Sequence, residues 1–160
     1  MIHDTCYYSL WSRSHTKLLK SGQSNTDKCS YCASSVENIQ HLFSQCIVTK
    51  SLWSKIQNFF ISKVYIPNLS IQSAFIGFAD LHNDNYIFIN HLLLIFKIYV
   101  YRNRNHNVLN ITSFIQKVAS VESPERFSID HNKHKAVFHY KKWSSVLPLL
   151  RSVSSSSPFN

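Results

Sequence analysis

Apolar residues recur along this chain at spacings that fall on one face of a helix. Ile39, Leu42, Phe43 and Cys46 stand at i, i+3, i+4 and i+7, and Leu52, Trp53, Ile56, Phe59 and Phe60 repeat the stripe. The run "VYIPNLS", with Pro67 and Asn68, interrupts it. Helical spacing returns from Ile71 to about Phe78, and again from Asn85 to Arg104. A polar connection, "NRNHNVLN", leads into "ITSFIQKVASVESPERF", an amphipathic helix on Phe114, Ile115, Val118 and Val121. That helix is expected to stop before Pro124, because a residue preceding proline is pushed out of the α region. Earlier, Thr16 and Gly22 in "TKLLKSG" suit the N-cap and the C-terminal stop of a short helix. The pattern predicts a mostly α-helical protein.

Composition narrows the picture. With 44% apolar and 14% aromatic residues the chain has the material for a core, and 160 residues make one domain or two small modules. Two glycines and four prolines are too few for the many tight turns of a β-sandwich. The most membrane-like run, Tyr86 to Tyr101, is interrupted by Asn90, His91 and Lys97. It falls short of the ~18 to 20 clean apolar residues a span needs and reads as a buried helix, so no membrane partner is expected. The opening "MIHDTCYYSLWSRSHTK" lacks the basic region and apolar core of a secretory signal. Reduced cysteines and an intracellular location, nuclear or cytoplasmic, are the corresponding expectations. Seventeen Lys and Arg against eight acids give a net charge of +9, which favours polyanions.

Three of the four cysteines lie in "DKCSYCASSVENIQHLFSQC" with a histidine among them, spaced C-x2-C-x8-H-x4-C on Cys29, Cys32, His41 and Cys46. Thiolate and imidazole are the ligands of a tetrahedral zinc site, and two cysteines two residues apart can both point inward from one tight turn. A redox C-x2-C would need a βαβ context that is missing here. The other reading is three buried thiols and an exposed histidine. His41 and Cys46 stand five residues apart, about 140° around a regular helix. The helix carrying His41 must therefore end or distort near Ser44 to Cys46, and a second helix carrying Trp53 should begin around Val48. One Zn2+ with four protein ligands is structural, because catalytic zinc keeps a position open for water. Glu37 is expected in the first helical turn, as a cap or as a partner near the ligands rather than a general base.

These residues resemble the zinc-binding region that follows the reverse transcriptase domain in non-LTR retrotransposon polyproteins. The resemblance rests on "CSYCASSVENIQHLFSQCIVTKSLWSKI", where the acid is Glu37 and the aromatic anchor is Leu52 with Trp53. Softer matches extend it: "TKLLKSG", "INHLLLIFKIYVYRNRN", "SVESPE" and "HYKKW". It implies a C-terminal fragment of such a polyprotein, a CCHC knuckle-like module that holds RNA or DNA beside a polymerase. The chain itself carries five aspartates and no Asp-Asp pair, and Asp80 and Asp84 read as a solvated loop. A two-metal polymerase centre is thereby excluded, and no motif isolates a nucleophile. No enzyme activity is expected.

Three segments are expected: a zinc-binding module over 1–66, a helical region over 67–151, and a disordered Ser-rich tail over 152–160. Candidate nucleic-acid contacts are Arg102 and Arg104 at a helix end, and the basic-aromatic set Lys133, Lys135, Tyr140, Lys141, Lys142 and Trp143. Beside this stands a solvated helix face with Trp143 tucked into the core. His91 reads as a hydrogen-bonded core histidine, Cys6 as a buried or free thiol, and Trp11 and Trp53 as core anchors. The expected function is non-specific binding of RNA or DNA. The alternatives are a zinc-stapled domain with a protein partner, and a transposon relic without selected activity.

Overall fold

Three apolar helical stripes too wide to stay wet meet in one core. The computed structural model describes residues 26–78, 85–106, 108–127 and 133–155. The expectations for Cys6, Trp11, the Thr16 to Gly22 helix, Asp80 and Asp84 lie outside them. A knuckle-like loop and a π-helical turn at His41–Gln45 lead into α1 (Ile47–Phe60). There follow α2 (Ile71–Ile76), α3 (Asn85–Asn103), a 3-10 turn at Arg104–His106, α4 (Ile111–Phe127), α5 (Lys133–Trp143) and α6 (Leu147–Ser155). Extended structure among the described residues is confined to an isolated antiparallel bridge between Lys28 and Val36. No described helix is long and apolar enough to cross a membrane.

Helix α3 is the pillar. It is apolar nearly all round, as a helix surrounded by others must be, and it buries Phe88, Ile89, Leu92, Leu93, Phe96 and Val100. The stripe of α1 docks on it through rings: Trp53 meets Phe96 edge-on at 5.0 Å, and Phe60 meets Phe88 at 5.3 Å. The Trp53 indole N–H donates to the Pro67 carbonyl at 3.1 Å, so the break after α1 closes back on that helix. Ser70 and Ser73 cap α2 reciprocally. At its other end Gly77 takes φ 91°, a left-handed conformation that suits glycine. Asn90 of α3 then clamps the next residue, accepting from the Phe78 N–H at 2.7 Å and donating to the Phe78 carbonyl at 3.0 Å.

Helix α4 buries Phe114, Ile115 and Val118 and packs against α3 and α6. It runs through Pro124 to Phe127, past the expected stop. An internal proline loses one backbone hydrogen bond and costs roughly 3 kcal/mol. Tertiary contacts to the last turn offset that loss: Glu125 accepts from Trp143 Nε1 at 2.9 Å and pairs with Lys142. His91 sits in the same cluster, edge-on to Trp143 at 5.4 Å and 3.4 Å from Glu125. Burial, reinforced by the Lys142 charge, pulls its pKa down to about 4, so it is a neutral core histidine at neutral pH. Its Nε2 nevertheless lacks a hydrogen bond of good geometry, unlike the satisfied histidine expected.

Two expected boundaries shift. One hydrophobic cluster includes Cys29, Trp53, Leu93, Val118 and Leu150, so the apolar core runs across the 66/67 junction. The Ser-rich tail enters a helix: α6 continues to Ser155, with Leu150 buried and Val153 partly buried against the core. Those apolar side chains hold Ser152 between them in helical register. Residues 156–160 lie outside the described set.

With Trp53 only 2% exposed, Trp53→Ala should cost roughly 3 to 5 kcal/mol, the range for a buried large aromatic. Urea unfolding of the metal-loaded protein measures it; a loss below 1 kcal/mol would show that the α1–α3 contact contributes little.

Candidate metal centre

The centre is built from two local devices. The first is a tight loop. Its stem is closed by Cys29 N–H donating to the Ser35 carbonyl at 2.7 Å and Glu37 N–H donating to the Asp27 carbonyl at 2.6 Å. At its tip Ala33 N–H donates to the Cys29 carbonyl at 2.9 Å, and Ala33 itself takes φ 53°. That left-handed conformation costs a residue with a Cβ about 1 to 2 kcal/mol. The turn brings both Cys29 and Cys32 to its inner side.

The second device is the π turn at His41–Gln45. The Cys46 N–H donates to the His41 carbonyl at 2.7 Å, an i→i+5 bond. One extra residue per turn carries position 46 back above position 41, which a regular helix would hold about 140° apart. Cys46 then adopts extended φ −62°, ψ 128°, and α1 starts at Ile47. The distortion and the restart lie within two residues of where the ligand spacing requires them.

Together the devices converge. One ligand atom from each of Cys29, Cys32, His41 and Cys46 lies within 4.8 Å of every other. The Cys29 and Cys46 sulfurs are 3.9 Å apart, and Cys32 Sγ is 3.3 Å from His41 Nε2. Three of the four residues are buried, and Cys32 is partly exposed. The group can hold a metal ion.

The thiols are already poised for it. The hydrogen bond from Cys29 draws the Cys46 thiol down to about 5, while the same bond, with burial, pushes Cys29 well up. Burial works against ionising Cys32, but hydrogen bonds from Ser34 and His41 outweigh it and bring the thiol down to about 7. A bound cation displaces the remaining protons, because only the thiolate ligates.

Around the ligands lies a second layer that ties the loop to α3. Glu37 is fully buried and stands just ahead of the helical turn rather than in it. Asn38 is the cap instead, its Oδ1 accepting from the His41 N–H at 2.7 Å. Glu37 turns the other way, accepting from the Ser30 N–H at 3.0 Å and from its hydroxyl at 2.7 Å, which holds the segment between the two loop cysteines. Its second oxygen lies 3.5 Å from Arg104 Nη1. Tyr31, also between those cysteines, donates its hydroxyl to the Val100 carbonyl in the last turn of α3.

The proposed nucleic-acid contacts scatter. Arg104 is withdrawn: it is 8% exposed, bound to Glu37 and stacked 4.5 Å over Tyr101. Trp143 is withdrawn too, since it is fully buried with its N–H on Glu125, and a buried ring cannot stack on a base. Lys142 is 6% exposed and spent on the same carboxylate. Arg102, Lys135, Tyr140 and Lys141 remain on the surface, and the side chain of Lys133 lies outside the described set. Asn38, three residues before His41, carried an N-cap signal that was open to reading. Tyr31 carried none, because its acceptor is 69 residues away.

No protein-family model matches this chain, and no curated protein or solved structure does.

Native mass spectrometry should find one metal ion per chain, and Cys29→Ser or Cys46→Ser should lose the ion together with much of the helical signal. Acidification should release it, because protons compete with the metal for the thiolates. A folded, metal-free wild-type protein at neutral pH would contradict this. Separately, Glu37→Ala should destabilise the metal-loaded protein by about 3 to 5 kcal/mol, since it leaves Arg104 buried without this carboxylate. Denaturation at saturating metal tests it, and a loss under 1 kcal/mol would remove Glu37 from the architecture.

Proposed function

We propose that this chain is a non-catalytic, zinc-stapled module that binds RNA or DNA, of the kind that follows the reverse transcriptase domain in non-LTR retrotransposon polyproteins. The observation that carries the reading is the convergence of three sulfurs and one imidazole nitrogen within 4.8 Å. At a Zn–S distance of about 2.3 Å, two sulfurs at tetrahedral corners stand about 3.8 Å apart, and sulfur and nitrogen about 3.5 Å. The 3.9 Å and 3.3 Å separations lie close to those values. Soft thiolates with one imidazole suit zinc over calcium or magnesium, which take oxygen ligands.

With all four corners filled by protein, the ion has no open position for a substrate or an activated water. Its role is to order the chain. Structural zinc contributes roughly 10 to 16 kcal/mol of apparent binding energy in small fingers, applied here to a loop and a π turn whose Leu42 and Phe43 already enter the core. The excess of nine positive charges supports a polyanionic partner. The spacing of the ligands and the following Leu52-Trp53 support the retrotransposon kinship.

A second reading, a protein-docking module, draws on exposed apolar side chains: Phe127 at 82%, Val137 at 58% and Phe138 at 54%. Salt separates the two. Binding to a random-sequence single-stranded oligonucleotide should weaken steeply with salt. Neutralising about four phosphates gives a log–log slope near −2.8, and roughly a 50-fold loss between 50 and 200 mM salt. An affinity that ignores salt, or no binding at 50 mM, would favour protein docking.

A further inference from the structure

A groove between the end of α3 and the first half of α4 carries a cation on each wall. Its walls include Ile98, Tyr99, Arg102 and Asn103 from α3, and Ser113, Gln116, Lys117 and Ser120 from α4. The α4 residues stand at i, i+3, i+4 and i+7, the spacing of a stripe that usually turns apolar towards a neighbouring helix. Here the apolar stripe is its neighbour, Phe114, Ile115 and Val118. The groove stripe is polar throughout.

Charge in the groove has one sign. Arg102 and Lys117 are exposed on opposite walls, no carboxylate lines the cleft, and neither cation pairs with a carboxylate among the described residues. Arg102 at the last turn of α3 also suits the helix dipole. Lys117 does not, because it stands mid-helix. The walls are held by their own hydrogen bonds. Tyr99 hydroxyl donates to the Asn110 carbonyl at 3.0 Å, Asn103 Nδ2 to the Tyr99 carbonyl at 2.8 Å, and Ser120 Oγ to the Lys117 carbonyl at 2.8 Å. The cleft is therefore shaped before any ligand arrives, which lowers the ordering cost of binding.

We propose that this groove seats the phosphodiester backbone of a nucleic-acid strand. The Arg102 guanidinium forks two phosphate oxygens, Lys117 supplies the second charge from the facing wall, and the Ser113 hydroxyl offers a neutral donor between them. The inference rests on the nucleic-acid reading above and names the surface that performs it. It replaces the buried Arg104, Lys142 and Trp143 with Lys117 and Ser113.

The test compares two double variants of equal charge, Arg102→Gln/Lys117→Gln in the groove and Lys135→Gln/Lys141→Gln on α5. The probe is a labelled random-sequence single strand titrated into zinc-loaded protein at several salt concentrations. The groove variant should lose at least tenfold more affinity than the α5 variant, and its salt slope should shrink by about 1.4, two phosphates' worth for a single strand. Amide resonances of Ser113, Gln116 and Ser120 in the wild-type protein should move on titration, a readout independent of how the variants fold. Equal losses from both variants, or unmoved groove amides with a binding wild type, overturn the groove and leave the nucleic-acid reading standing. A wild type that binds no oligonucleotide at low salt overturns both. Inorganic phosphate alone at tenfold excess should compete weakly; complete displacement by it would reassign the groove to a small free anion.

Discussion

His41 and Cys46, five residues apart in sequence, face one point, and the break between the π turn and α1 follows from that constraint. A regular helix cannot satisfy it, so the chain between His41 and Cys46 widens into a π turn closed by the 2.7 Å bond from Cys46 N–H to the His41 carbonyl. The widened turn cannot propagate, and Cys46 leaves the helical region altogether. The chain restarts as α1 in a new direction, and that direction lays Leu52, Trp53, Ile56 and Phe60 onto α3. The candidate metal ligands and the apolar core thus follow one another along one backbone path.

The loop that supplies the other two ligands depends on α3 as well, through a different kind of interaction. Tyr31 and Glu37 reach from the loop to Val100 and Arg104 at the C-terminal end of the helix. Arg104 and Glu37 are both withdrawn from water, so each is costly without the other. Such a pair is weak evidence for net stability compared with an apolar replacement. With Tyr31, it holds the loop on the helix end in the position where the four candidate ligands lie together.

The basic character of the chain divides along the same lines. Arg104 and Lys142 are buried, each answering a carboxylate, and they hold α3 to the loop and α5 to α4. Arg102, Lys117, Lys135 and Lys141 stay exposed. A positive net charge counts both groups alike, yet only the second can meet a polyanion. Cations adjacent in sequence separate in role, as Lys141 and Lys142 do, because one helical step of 100° moves a side chain from solvent to core.

What the sequence by itself determined was periodic or local. The stripes of α1, α3 and the first turns of α4, the ligand quartet, and the need for a helix break near Cys46 all follow from spacing, since 3.6 residues per turn makes spacing a statement about direction. Tertiary structure decided whatever depends on partners distant in the chain. Pro124 stays within α4 because Lys142 and Trp143 engage Glu125, and the serines of α6 are helical because Leu150 and Val153 have a core to enter. Glu37 leaves its expected place in the helical turn because Ser30 and Arg104 hold it elsewhere. Trp143 faces Phe88 and His91 rather than solvent. In each case a buried contact set by the fold outweighs the local preference.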